Sequence, residues 1–189
     1  MKKAFLGLAL ATAAFVGQAN AAPVYPVAVV SADQNSTTVA ADRSDPNVLF
    51  DAYTDGDQFY SLGLGGNLVL DFGSSLYGMG TIIEVTFKLA HYLETADIFV
   101  SNDTNFTDPK VASVGNFEAQ ETGGGYSFLV STPFRYLKIV DTSPVVAGRD
   151  GFDVAEISFS PVPVPAAGLM LAGGLLGLGA LRRRAKKAA

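Results

Sequence analysis

Two groups of carboxylates sit on short, turn-like stretches. Asp51, Asp55 and Asp57 make one, and Asp150 and Asp153 flank Gly151 in the other. Hard oxygen donors on tight turns are what Ca²⁺ requires. Neither group has EF-hand spacing, so the chemistry expected is a structural Ca²⁺ ion. The alternative is a set of Asp-Gly turns that cap strands. A second set of residues suits a sugar. Tyr53, Phe59, Tyr60, Tyr77 and Tyr92 carry rings that pair with apolar CH surfaces. The stretches Asn102-Asp103-Thr104-Asn105 and Gly123-Gly124-Gly125 read as loops. Tyr53, Tyr60, Asn102 and Asp103 are the candidate ligand-binding residues. The alternative for the rings is a place in the core or at its rim.

Catalytic patterns are scarce. His91 is the single His, and no Gly-x-Ser-x-Gly elbow accompanies it. Gly63-Leu64-Gly65-Gly66 lacks the third Gly of a dinucleotide fingerprint, and no helix pattern follows. A glycosidase pair among 18 acidic residues is the remaining catalytic possibility. The small body and the absence of Trp argue against it. No catalytic residue is assigned, and the expected class is a non-enzyme. The chain has no Cys, so stability must come from packing, with a metal as the possible aid.

These residues need strands to position them. Ile83, Val85, Phe87 and Leu89 alternate with Glu84, Thr86 and Lys88, which face the other way. Leu68, Leu70 and Phe72 alternate with Val69 and Asp71, and Tyr126, Phe128 and Val130 with Ser127 and Ser131. Further strands are predicted at Tyr25–Val30, Ala96–Ser101, Val111–Val114, Phe134–Val140 and Phe152–Phe159. No convincing amphipathic helix interrupts them. About eight strands at this spacing predict an all-β fold over residues 22–160, an antiparallel β-sandwich or jelly roll.

The order of several stretches resembles the galactose-binding-like (discoidin-like) jelly roll. They are Gly-Asp-Gln-Phe-Tyr-Ser-Leu-Gly-Leu-Gly-Gly-Asn-Leu-Val-Leu-Asp-Phe-Gly over 56–73, Ala96–Asp103, Phe134-Arg135-Tyr136-Leu137-Lys138-Ile139-Val140-Asp141, and Asp150-Gly151-Phe152-Asp153. The resemblance implies loops at one end that carry the ligand. It also implies first and last strands close enough for the two Asp groups to share one ion.

Both ends read as targeting segments. Met1-Lys2-Lys3, the apolar stretch Ala4–Val16 and Ala19-Asn20-Ala21 form a signal peptide over 1–21, cut after Ala21 by signal peptidase following passage through the Sec translocon. Near the other end come Pro161-Val162-Pro163-Val164-Pro165, an uncharged run over 166–181 and a basic tail over 182–189 that opens with Arg182-Arg183-Arg184. About 16 helical residues reach roughly 24 Å, short of the roughly 30 Å of a bilayer core. The basic stop keeps this end cytoplasmic. The arrangement resembles the PEP-CTERM class of sorting signals in its VPLPA-CTERM variant, matched by Val162, Pro163, Val164, Pro165 and Ala166. It implies an exosortase-type processing enzyme, an inner-membrane intermediate held by the C-terminal helix, and a Gram-negative host that makes exopolysaccharide.

Every acidic residue lies between Asp33 and Glu156, against six basic residues in the body, so the body carries a net −12 where the whole chain carries −5. Such a charge disfavours nucleic acid and anionic lipid. The function expected is that of an exported, non-catalytic protein of the cell surface or extracellular matrix, whose body binds carbohydrate such as exopolysaccharide. A structural or adhesive matrix protein without a discrete ligand is the alternative.

Overall fold

Alternating side chains over Thr95–Ser101 put Ala96, Ile98 and Val100 inside and leave Asp97 and Phe99 partly exposed. The same rule builds the rest of the molecule. The computed structural model describes residues 22–35, 39–54, 58–85, 93–116, 124–146 and 149–161. Its strands are β1 (Ala28–Asp33), β2 (Tyr60–Ser61), β3 (Asn67–Glu84), β4 (Thr95–Ser101), β5 (Ala112–Gly115), β6 (Gly124–Asp141) and β7 (Asp153–Pro161). They form one antiparallel sheet in the order β2-β7-β3-β6-β4-β5, with β1 also on β3.

The two longest strands turn this sheet into a sandwich. β3 and β6 pair twice, Asn67–Asp71 against Tyr136–Val140 and Gly78–Glu84 against Gly124–Val130, with register shifts between. The first ladder carries β1, β4 and β5, and the second carries β7, which pairs with β2. The inner faces of both halves contribute to one core, including Leu68, Leu70, Ile98, Leu137 and Ile139 from one half and Ile82, Val154, Ile157 and Phe159 from the other. At the bent end Phe159 meets Phe72, Phe128 and Phe134 edge-on, with ring centroids 4.8–5.6 Å apart.

Several expectations meet a different outcome. Leu68–Phe72 and the start of the Ile83 stretch are one strand, β3, and Tyr126–Val130 and Phe134–Val140 are likewise one strand, β6. A bent strand keeps alternating on both sides of its bend, so alternation alone does not separate one long strand from two. β1 begins at Ala28 rather than Tyr25, since Pro26 has no N–H to give to a ladder. Glu84 does face away from Ile83 and Val85. That other face is the interior, and Glu84 is fully buried. Ile83 and Val85 instead belong to a small second cluster with Phe59 and Ala155, on the outside of the second half.

Between β1 and β2 lie two short 3-10 turns, Ala41–Arg43 and Pro46–Phe50. The Asp45 carboxylate caps the second by accepting from Asn47 N–H at 3.0 Å, and its Leu49 is buried in the core. Among the described residues no helix is long and apolar enough to cross a membrane. The signal peptide, the sorting motif Val162–Ala166, the run over 166–181 and the stop Arg182–Arg184 lie outside them.

Candidate functional site

The ladders run between two ends of the sandwich. Asp71, Tyr136 and Ser101 sit together at the bent end, while Glu84, Gly124, Thr95 and Asp153 lie at the other. The candidate residues divide between these ends and the outer face.

The bent end holds a pocket of about 420 Å³. Asn102, Asp108 and Lys110 of the β4–β5 connection and Thr132 of β6 supply its polar groups, and Val100 and Phe134 its apolar floor. Asn102 Nδ2 donates to the Pro133 carbonyl at 2.9 Å and ties one wall to the other. Lys110 Nζ donates to both Asp97 oxygens at 3.0 Å, and Ser113 Oγ donates to the same carboxylate. Asp103 beside the pocket organises its turn, with Oδ1 accepting from Asn105 N–H at 2.8 Å. This loop fixes the backbone of Phe106 at φ +50°, and Lys138 lies over its ring at 5.9 Å.

The predicted aromatic platform is not assembled among the described residues. Tyr60 is 1% exposed and belongs to the core, where no sugar reaches its ring. Burial, helped by the Asp33 charge, pushes its phenol up to about 12. Tyr53 is half-buried beside the second cluster, its N–H donating to Glu156 Oε2 at 2.9 Å. Tyr77 is 40% exposed on β3, and Tyr92 lies outside the described residues, as does His91. Aromatic residue type does not tell core from platform; the parity of Tyr60 with Leu62 was the available signal, and the two-residue strand that sets it is too short to show a period.

The acidic candidates separate as well. Asp51 is exposed, and Asp55 and Asp57 lie outside the described residues. Asp150 accepts from Arg43 Nη1 at 2.6 Å, and its carbonyl accepts from Ser61 Oγ at 3.0 Å. Asp153 is fully buried, and neither of its carboxyl oxygens has a hydrogen-bond donor. Burial first, then the Asp150 charge, pushes its carboxyl up to about 8. Among the described residues no three Asp, Glu or His side chains are grouped to hold a metal ion.

Sequence reading missed Glu84 and Glu94, which are 0% and 1% exposed at this same end. Burial first, then the Asp153, Glu84 and Asp150 charges, pushes the Glu94 carboxyl up to about 10. Asn116 joins them, its Oδ1 accepting from Glu94 N–H at 2.7 Å and its Nδ2 lying 3.4 Å from Glu84 Oε1. Glu94 ends up here because the ten residues after Glu84 return the chain to β4, a proximity that local alternation does not encode.

No family model and no curated protein matches this sequence. Solved structures do. The CBM32 domain of AlyQ, solved in complex with 4,5-unsaturated mannuronic acid, superposes with a TM-score of 0.51 at 16% identity, over 73% of this chain and 97% of that one. The C-terminal domain of a chitobiase from Bacteroides fragilis gives 0.50 at 15%, over 74% and 97%. XRCC1, bound to the DNA pol beta catalytic domain, gives 0.51 at 12%, over 74% and 99%. The body shares the β-sandwich fold of these structures. The expected β-sandwich is thereby found, while identities this low leave the ligand to be argued from the residues of this chain.

Proposed function

We propose that the body is a non-catalytic carbohydrate-binding module carried by an exported, exosortase-sorted protein of the cell surface or matrix. The observation that carries the reading is the bent-end pocket. About 420 Å³ accommodates one or two sugar rings, and Asn102, Asp108, Lys110 and Thr132 offer hydroxyl partners beside the apolar Val100 and Phe134. The fold supports it, since two of the similar structures are a CBM32 domain and the terminal domain of a chitobiase. The body's net charge of −12 favours a neutral or amino-sugar glycan over a polyuronate. A Ca²⁺ ion on the acidic turn Asp51, Asp55 and Asp57 belongs to the same proposal.

The test is a glycan-array screen of residues 22–161, with Ca²⁺ and again with EDTA, followed by Asn102→Ala on any sugar retained. Saturable binding that falls at least tenfold in Asn102→Ala is expected. Binding that survives this change places the sugar elsewhere. No binding under either condition favours the structural matrix protein.

A further inference from the structure

The charged groups of the bent-end pocket are not equally matched. Lys110 Nζ stands 3.0 Å from both oxygens of Asp97, so its ammonium already has a counter-charge. Ser113 Oγ donates to the same carboxylate at 2.6 Å. Asn102 Nδ2 donates to the Pro133 carbonyl at 2.9 Å, which leaves Oδ1 as an acceptor for a ligand. Asp103 Oδ1 takes the Asn105 N–H and so serves its own turn. Asp108 differs from all of these. It is exposed in the pocket wall and has neither a hydrogen bond nor an ion pair among the described residues. The cations of the neighbouring β6 are engaged elsewhere. Arg135 holds Asp71 at 2.8 and 2.7 Å, and Lys138 lies over the Phe106 ring. The pocket thus offers one unmatched carboxylate and a free amide oxygen beside the apolar Val100 and Phe134.

We propose that this pocket selects a sugar with a free, protonated amine, a de-N-acetylated hexosamine, and that Asp108 pairs with its ammonium group. The selection rests on the carbohydrate-binding reading above, to which it adds the class of sugar and the residue that chooses it. An ammonium supplies both the counter-charge that Asp108 lacks and donors for the Asn102 oxygen. An N-acetyl group replaces that charge with a neutral amide. A uronate adds a second negative charge beside Asp108 and is repelled.

The experiment is a calorimetric titration of the full chain with two trimers, one of glucosamine and one of N-acetylglucosamine, in mildly acidic buffer where the free amines are protonated. The glucosamine trimer should bind about fivefold more tightly, the upper range for an ion pair near solvent. Raised salt should narrow the difference. Asp108→Asn keeps the size and an acceptor but not the charge. It should abolish the preference and leave the affinity for the N-acetylated trimer unchanged. Asp42→Asn makes the same change of charge on the exposed turn Ala41–Arg43 and should leave the preference intact. Equal affinity for the two trimers, or a preference that survives Asp108→Asn, overturns the selection by Asp108 while carbohydrate binding stands. Equal losses in the Asp42 and Asp108 variants also overturn it, in favour of overall charge. Binding of neither trimer, with another sugar retained on the array, overturns it as well. No binding to any sugar removes the carbohydrate-binding reading itself.

Discussion

Gly80 shows how little room single positions leave. A Cβ there would stand 2.5 Å from Phe128 Cζ and 2.8 Å from Phe159 Cζ, inside the ring cluster that closes the bent end. Gly80→Ala is expected to destabilise the body by about 1–3 kcal/mol through overpacking, read from the midpoint of chemical denaturation. An unchanged midpoint would show that the rings shift freely. Asp71 illustrates the opposite electrostatic case to Glu94. Its hydrogen bonds from Arg135, at 2.8 and 2.7 Å, hold its carboxyl below the usual range. Stability from this pair is present above the unfolded value near pH 4 and fades as pH falls below it. The Asp71–Arg135 pair thus favours higher pH, and the buried Glu94 carboxyl, pushed up to about 10, lower pH.

At the level of elements, Asp141 does the work that disulfides do elsewhere. It ends β6, is buried, and accepts from Phe152 N–H at 2.9 Å and Gly65 N–H at 2.7 Å, as well as from Ser143 Oγ. One carboxylate thus joins the end of β6 to the turn before β3 and to the entry of β7. Gly151, at φ +89°, makes the close approach possible, since a Cβ there would meet Gly63 C at 2.6 Å. Asp141→Ala leaves the buried Phe152 N–H without its acceptor. The expected loss is about 1–3 kcal/mol in thermal or chemical unfolding, and Asp141→Asn, which keeps one acceptor, should lose less. Equal losses in the two variants would show that the charge, not the hydrogen bond, matters.

For the whole molecule, the charge and the proposed sorting signal give the expected behaviour. A body of net charge −12 is repelled by anionic lipid. Replacing Pro163 and Pro165 by Ala in the full chain is expected to leave the body membrane-bound at its uncut mass. Unchanged release, followed by fractionation and mass measurement, would refute exosortase processing at this motif.

Strand content was legible because an alternating face is a local property: Ala96-Ile98-Val100 and Leu68-Leu70-Phe72 show their inward side in five residues. The charge contrast is equally local, written in composition. Where alternation stands on a strand buried on both faces, as at Ile82-Ile83-Glu84-Val85, it names two faces without saying which is the interior. Only the tertiary structure decided that Glu84 faces inward, that Tyr60 is core, and that Asn102 meets Pro133 across a pocket. Each depends on what a distant segment places opposite the residue, and that pairing is a long-range energy that no local pattern carries.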